Sequence, residues 1–184
     1  MTLKTRYALI IACIALVAAG AGFVVANFQH HPPSTDTAPQ DTARAAEQLL
    51  ALTLPDAKAA SQPLRQWRGK LLVVNFWATW CPPCREEMPG FSRLHRKFSA
   101  KNVQFVGIAI DNADKVREFS LQTPTSYLLL VGSPALMPLM AELGNPAGGL
   151  PFTVIIGRDG TLRLNHLGLW KESSLEASLN DLAE

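Results

Sequence analysis

The fold is decided by the stretch Leu71-Leu72-Val73-Val74-Asn75-Phe76-Trp77-Ala78-Thr79-Trp80-Cys81-Pro82-Pro83-Cys84-Arg85-Glu86-Glu87-Met88-Pro89. It begins as an uncharged, mostly aliphatic run, which is typical of a strand covered on both faces at the centre of an α/β sheet. After the second cysteine, residues 85–100 have the apolar spacing of a helix. The stretch therefore predicts a strand, a turn that carries two cysteines, and a helix.

Cys81 and Cys84 are separated by two residues at the start of this predicted helix, where they are placed for thiol–disulfide exchange. Free N–H groups and the positive end of the helix dipole stabilise a thiolate, which is the attacking species. Pro82 needs no N–H partner in the first turn and stiffens the loop between the sulfurs. We interpret the pair as a redox-active dithiol that needs no cofactor. The alternatives are an inert disulfide or half of a zinc site, but the chain offers no second cysteine pair to complete four zinc ligands.

The composition limits the classes of function. A length of 184 residues suits one domain with appendages. The 17 Lys and Arg against 15 Asp and Glu give a net charge of +2, and no long basic run occurs, so nucleic-acid binding has no electrostatic support. The 3 cysteines are too few for a disulfide framework.

The N-terminal part of the chain predicts a membrane anchor over residues 1–28 and a flexible linker over residues 29–45. Residues 7–28 carry no charge, and a helix of that length would reach ~33 Å, enough to cross a bilayer. Lys4 and Arg6 precede the run, which predicts a cytoplasmic N-terminus and an outward-facing remainder. A cleaved signal peptide is the second alternative and lipidation at Cys13 the third. The linker is rich in Pro, Thr and Asp, and residues 46–184 form the predicted domain.

Apolar runs and helical patterns alternate through the rest of the chain, which predicts an α/β domain with helices on both faces of the sheet. Residues 50–56 suit a short edge strand, and Trp67 is expected to close the core. Pro138 should disturb a helix, and Asp159-Gly160 is a hairpin signal. The predicted strands are residues 103–110, 126–131, 152–156 and 161–166, and the predicted helices are residues 113–121, 134–143 and 171–183.

Phe76 to Pro89 resembles the active-site signature of thioredoxin-fold proteins, and more narrowly that of the TlpA/ResA-like, membrane-anchored thiol:disulfide oxidoreductases of bacteria. The resemblance runs from about residue 52 to the C-terminus, with a second mark at Gly149-Leu150-Pro151-Phe152-Thr153. It implies a thioredoxin-like α/β fold in which helices flank a mixed central sheet, behind an N-terminal transmembrane anchor. Residues 123–146 would supply the insertion that this family carries.

The resemblance also assigns catalytic roles. Cys81 would be the attacking, more exposed thiol and Cys84 the buried resolving thiol, while Pro151 would have a cis peptide bond and face the dithiol. Glu87, three residues after Cys84, would act as the acid/base. Its alternative is an acidic residue that merely favours the helix start. Asn75 stands where ordinary thioredoxins have a buried aspartate, and an amide cannot shuttle protons.

The predicted substrate-binding residues are Trp80, Leu150 and Phe152. Trp80 and Phe152 flank the dithiol and the Pro151 loop, where exposed aromatic rings would form an apolar platform for partner proteins. Packing at the rim of the site is the alternative for both rings. The backbone of Leu150 would pair with an extended substrate segment.

The residues between the cysteines predict the direction of the reaction. Strong oxidants of this fold stabilise the thiolate with a histidine, and Pro82-Pro83 cannot donate such a bond, so we expect a reductase. By resemblance its substrates are disulfides of envelope proteins, with cytochrome c maturation as one route, and a membrane thiol relay is its electron donor. The catalytic domain would face the periplasm from the inner membrane. A copper-handling protein of thioredoxin fold is the alternative function, although it would want a Cys-x₃-Cys spacing. A thiol peroxidase and a scaffold protein are the remaining alternatives.

Overall fold

A five-stranded sheet carries the cysteine pair in the computed structural model, which describes residues 39–183. The strands are β1 (Thr53–Pro55), β2 (Ser61–Pro63), β3 (Leu71–Trp77), β4 (Val103–Ala109), β5 (Leu128–Val131), β6 (Phe152–Ile156) and β7 (Leu162–Leu167). The α-helices are α1 (Pro39–Ala51), α2 (Pro82–Phe98), α3 (Ala113–Gln122), α4 (Met137–Glu142) and α5 (Glu172–Leu182). Short 3₁₀ turns cover Leu64–Trp67, Ser99–Lys101 and Pro134–Leu136.

The main sheet is mixed, as expected, with strand order β5-β4-β3-β6-β7. β3, β4 and β5 run parallel, whereas β6 pairs antiparallel with both β3 and β7. In this register Asn75 lies opposite Thr153, and Thr153 lies opposite His166. β1 and β2 form a separate antiparallel hairpin. β1 covers only residues 53–55 of the strand expected at residues 50–56, because residues 50 and 51 belong to α1.

Apolar side chains cover the sheet on both faces, and all seven residues of β3 are buried. Because side chains alternate along a strand, β3 contributes to two cores. One core contains Trp77, Cys84 and Phe91, with Leu175 from α5. The other contains Phe76 with residues of α1 and α4. This burial on both faces explains why β3 reads as a continuous apolar run.

The predicted strands and helices are present with small differences at their ends. α2 begins at Pro82, three residues earlier than predicted, because proline fits a first helical turn and Cys81 serves as the N-cap. The helix expected at residues 134–143 is divided into a 3₁₀ turn and α4, with Pro138 in the first turn of α4. Proline there needs no helical N–H partner, so it starts a helix instead of continuing one.

The first helix that the structure describes starts within the predicted linker. α1 begins at Pro39, so residues 39–45 belong to a helix and not to the expected linker. Its buried residues, Ala45, Ala46, Leu49 and Leu50, follow helical spacing and pack in the core that contains Phe76. The polar composition of the preceding residues concealed this amphipathic pattern. Trp67 is buried in the same core, as expected.

The predicted anchor at residues 1–28 and the linker up to residue 38 lie outside the described residues. Among residues 39–183, no helix is both long enough and apolar enough to cross a membrane.

Candidate active site

Cys81 and Cys84 form a disulfide with an S–S distance of 2.03 Å and a Cα–Cα distance of 5.3 Å. Cys81 has an extended backbone and caps α2, and its Sγ accepts a hydrogen bond from the Cys84 N–H at 3.4 Å. Both residues are buried: Cys81 keeps 3% of its surface exposed and Cys84 keeps none. At the helix N-terminus a Cys81 thiolate is stabilised by the dipole, and Cys81 is the sulfur nearer to solvent.

A carboxylate at the end of a neighbouring strand holds the loop that leads to Cys81. Asp111 follows β4, and its Oδ2 accepts hydrogen bonds from the Thr79 N–H at 3.0 Å and from the Thr79 hydroxyl. Burial raises the pKa of Asp111, but the hydrogen bonds from Thr79 and Asn112 outweigh it and leave the pKa below its usual value. Asp111 is therefore a residue of the site that was not predicted from the sequence. Its position at the C-terminal end of a central parallel strand was the available signal.

The predicted substrate-binding residues differ in exposure. Trp80 is 64% exposed beside Cys81, as the platform requires. Leu150 is half-buried and packs against the core that contains both cysteines. Phe152 is only 1% exposed, and its ring stacks on Phe76 at 5.9 Å between centroids. The expectation of an exposed Phe152 ring is therefore wrong, because β6 turns this side chain into the opposite core.

The Leu150–Pro151 peptide is cis, as the resemblance implies. Asn145, which is buried, holds the preceding loop: its Nδ2 donates to the Gly149 carbonyl at 2.8 Å and its Oδ1 accepts from the Gly149 N–H at 3.1 Å. On the other side, the Pro151 carbonyl accepts a hydrogen bond from the Gly168 N–H at 2.8 Å. The sequence indicated a loop rich in Gly and Pro here, but no sequence pattern indicated that the Asn145 side chain binds the backbone of that loop.

Glu87 lies on the buried face of α2, one turn after Cys84, and is 5% exposed. Its Oε1 accepts a hydrogen bond from Asn75 Nδ2 at 2.7 Å, and its Oε2 accepts one from the Trp170 N–H at 3.0 Å. Burial raises the pKa of Glu87 to about 7, although both hydrogen bonds oppose this rise. A carboxyl group with that pKa can accept or release a proton near neutral pH.

Two buried polar residues near Glu87, Asn75 and Tyr127, were not predicted as its neighbours, because they are distant from it in sequence. Asn75 Nδ2 also donates to Thr153 Oγ1 at 3.0 Å, whereas Asn75 Oδ1 has no hydrogen-bond partner among the described residues. The buried Tyr127 hydroxyl also has none there. Burial raises the pKa of Tyr127 above its usual range, and the charge of Glu87 adds to the effect.

An open cleft with a volume of about 180 Å³ lies beside Glu87, between α2 and the segment that leads into α5. Arg93 and Lys171 line it together with Glu86 and Glu172. Glu87 is thus buried but belongs to the lining of a cleft that opens to solvent.

Metal-binding side chains are not gathered at this site. Within residues 39–183, no group of three or more His, Cys, Asp or Glu side chains could hold a metal ion. The ring of His166 contacts the Leu169 carbonyl and stacks on Trp170. His95 contacts Ser126.

A dithiol that caps the helix after β3, together with a cis-proline directly before the neighbouring strand β6 of a mixed sheet, defines the class: a thiol–disulfide oxidoreductase of thioredoxin fold. The AhpC/TSA family model matches residues 45–165, and the chain belongs to that family. The redox equivalents are carried by the Cys81–Cys84 pair itself.

Curated relatives agree with this class. The thiol-disulfide oxidoreductase ResA of Halalkalibacterium halodurans is 29% identical over 76% of this chain and 77% of the relative. The thioredoxin-like protein YneN of Bacillus subtilis is 25% identical over 73% of this chain and 78% of the relative. The chain is thus a ResA-like member of the thioredoxin superfamily, and the resemblance to ResA-like thiol–disulfide oxidoreductases is confirmed.

Solved structures give the same result. The thioredoxin-related protein from Neisseria meningitidis serogroup B is 35% identical, with a TM-score of 0.60, and the match covers 71% of this chain and 95% of that one. A thiol:disulfide interchange protein of the thioredoxin family from Chlorobium tepidum is 22% identical, with a TM-score of 0.63 and coverage of 72% and 93%. At that identity the second match supports the fold alone.

Proposed function

We propose that this enzyme works as a reductase, transferring two electrons from the Cys81/Cys84 dithiol to disulfides of envelope proteins. One observation carries the direction. Among the described residues, Cys81 Sγ accepts a hydrogen bond only from the Cys84 N–H, at 3.4 Å. Strong oxidants of this fold stabilise their reduced form with a side-chain donor between the cysteines, whereas Pro82 and Pro83 carry no such donor, which favours a more reducing couple.

The reaction proceeds through a mixed disulfide. The Cys81 thiolate attacks one sulfur of the client disulfide, a Cys81–client S–S bond forms, and the other client sulfur leaves as a thiolate that takes a proton from water. The Cys84 thiol then gives its proton to Glu87, and the resulting thiolate attacks Cys81 Sγ. The second client sulfur leaves as a thiolate that also takes a proton from water, and the enzyme is left as the Cys81–Cys84 disulfide.

Glu87 suits this proton transfer because it lies one helical turn from Cys84 and has a pKa of about 7. After the transfer, the proton leaves through the cleft between α2 and α5. A second turnover then starts from an ionised Glu87. This route keeps the proton chemistry on the buried side of the helix, away from the client.

The client-binding surface consists of Trp80 and the Leu150 backbone. Trp80 offers an exposed aromatic ring next to the attacking sulfur. The backbone of Leu150, before the cis bond, pairs with an extended client segment. Phe152 contributes through its place in the core. Apocytochrome c is one client class that the TlpA/ResA-like resemblance implies, but Phe152 stands where that branch carries an acidic residue, so we do not propose it as the sole client.

The enzyme would be held in the bacterial inner membrane by residues 1–28, with the catalytic domain in the periplasm. Lys4 and Arg6 before an uncharged run of residues support this orientation. The periplasm is oxidising, so a reductase there needs a membrane thiol relay to return electrons to Cys81 and Cys84. Protection of the domain from protease in intact cells, and its cleavage after the outer membrane is opened, would test the orientation.

The reduction potential of the Cys81/Cys84 couple tests the direction. The chain would be equilibrated with dithiothreitol or glutathione buffers and the fraction of free thiol measured. We expect a value near that of thioredoxin, about −270 mV, and a value near that of DsbA, about −120 mV, would reverse the assigned direction.

A further inference from the structure

One peptide group connects His166 to Glu87. The Trp170 N–H donates to Glu87 Oε2 at 3.0 Å, and the carbonyl at the other end of that peptide, Leu169 C=O, lies 3.3 Å from His166 Nε2. A carbonyl oxygen can only accept, so His166 must carry its hydrogen on Nε2. Because the amide is conjugated, a hydrogen bond to its oxygen polarises its N–H.

The His166 ring packs against a neighbouring aromatic side chain. It stacks on the Trp170 indole with centroids 4.7 Å apart and planes 24° apart. In β7 it lies opposite Thr153 of β6. The ring is half-buried, so neither its position nor its bond to Leu169 depends on a freely moving side chain.

Thr153 lies opposite His166 in the sheet and accepts a hydrogen bond from Asn75, the residue that binds the other oxygen of Glu87. Asn75, Thr153 and His166 are consecutive cross-strand neighbours on β3, β6 and β7, and such neighbours project from the same face of a sheet. We call these three residues the polar row. Thr153 is the only polar residue of β6 and is fully buried, in a strand whose other residues are apolar. Buried polar groups cost stability unless they are hydrogen-bonded. A polar row in an otherwise apolar part of the sheet therefore suggests a functional role.

We propose that His166 is a positioning residue for Glu87: its Nε2–H, acting through the Leu169–Trp170 peptide, directs the Trp170 N–H at Glu87 Oε2. Asn75, at the opposite end of the polar row, holds Oε1. The two ends together fix the carboxyl group that handles the Cys84 proton. This inference rests on the acid/base role proposed for Glu87.

Two variants separate the hydrogen bond from the ring. His166→Phe keeps an aromatic ring to stack on Trp170 but loses the donor, and His166→Gln loses the ring but places an amide N–H near the position of Nε2. Without the donor, the Trp170 N–H is a weaker partner for the Glu87 carboxylate, so the titration of Glu87 moves to higher pH. From a hydrogen bond to a charged group and its cooperative strengthening, we expect a shift of about 0.3 pH unit or more.

The titration would be followed on the full chain in mild detergent by ¹³C NMR of labelled glutamate side chains, with the Glu87 signal identified by its loss in Glu87→Gln. An upward shift in His166→Phe with a wild-type titration in His166→Gln supports the proposal. Equal titrations in all three proteins, or a shift in His166→Gln alone or in both variants, would overturn it. The other charged or titratable groups near Glu87 are unchanged in both variants: Glu86, Arg93, Tyr127, Lys171 and Glu172.

A measurement on the unmutated chain covers the case in which His166→Phe does not fold. ¹⁵N NMR of the histidine rings at about pH 9 reports the tautomer of His166, and the bond to Leu169 requires the Nε2–H form. The Nδ1–H form would contradict the proposal. Neither NMR result depends on catalysis. Failure of the proposed reductase function would be seen in a different assay, in which the unmutated enzyme does not reduce a protein disulfide.

Discussion

The buried carboxyl group of Glu87 makes the stability of this protein depend on pH. Its pKa is about 7 in the folded chain, against 4.5 for an unperturbed glutamate, because burial disfavours the charged form. The folded state therefore binds this proton more tightly than the unfolded state does. The stability that protonated Glu87 contributes is fully present below about pH 4.5 and is lost as the pH rises through about 7. The difference between the two pKa values corresponds to about 3 kcal/mol.

Glu87→Gln removes this titration while keeping a side chain of similar size. Relative to the parent chain, the variant should therefore gain about 3 kcal/mol in unfolding free energy between about pH 4.5 and pH 8. Glu86→Gln is the matched control, since Glu86 is the exposed neighbour on the same helix. Its difference from the parent should stay within about 0.5 kcal/mol over the same range.

Urea unfolding of the oxidised protein at a series of pH values, followed by tryptophan fluorescence, measures these differences. The compact unit from Ala38 onward contains both cores and suits this assay. Equal m-values for parent and variants would show that the comparison concerns stability and not a change in the unfolded state. A Glu87→Gln difference that is the same at about pH 4.5 and pH 8 would refute the reasoning, because burial would then not have raised the proton affinity of Glu87.

Three further predictions follow from the site. Cys84→Ser should accumulate a mixed disulfide between Cys81 and a client, visible on a non-reducing gel, because the resolving attack is lost; no trapped species would contradict the assigned order. Trp80→Ala should change the unfolding free energy by no more than about 0.5 kcal/mol, because the ring is exposed, but it should slow protein-disulfide reduction. Phe152→Ala should lower the unfolding free energy by about 3–5 kcal/mol in urea unfolding, because that ring is buried. Asp111→Asn should lower the unfolding free energy by about 1–2 kcal/mol, since the loop before the dithiol loses a charged acceptor; an unchanged value would mean that the loop does not need it.

The centre of the fold could be predicted because its signals are local. β3 is an uncharged apolar run, and Pro82 marks the first turn of α2 directly after it. The two cysteines lie within this unit, so their chemistry followed from spacing and helix position alone. The same holds for the hairpin at Asp159-Gly160, where two residues specify the turn.

Phe152 shows where local reading fails. It follows Pro151 directly, which suggested a ring beside the dithiol. The register Phe76↔Phe152 instead places it on the other face of the sheet, in the core that α1 covers. In a strand covered on both faces, alternation does not distinguish an inward from an outward residue. Which face of the sheet Phe152 occupies depends on the register of the whole sheet and on α1, a helix that was not predicted because the residues at its start are polar.

The hydrogen-bond partners of Glu87 could not be predicted either, because they lie far from it in sequence. Its partner Trp170 lies 83 residues away in sequence, and Asn75 reaches it from β3. The sequence did show that an amide at position 75 cannot shuttle protons, which left Glu87 or water as the acid/base. A carboxylate at position 75 would set two negative charges within hydrogen-bond distance and couple their titrations.

An amide at position 75 instead holds the carboxyl group without competing for its proton. Ionised Glu87 needs hydrogen-bond donors, and Asn75 Nδ2 and the Trp170 N–H supply one to each oxygen. Protonated Glu87 needs an acceptor as well, and the Asn75 amide carries an oxygen that has no partner among the described residues. Asn75 thus combines a donor that binds the ionised carboxylate with an unpaired acceptor in the same amide, which an aspartate at this position could not do.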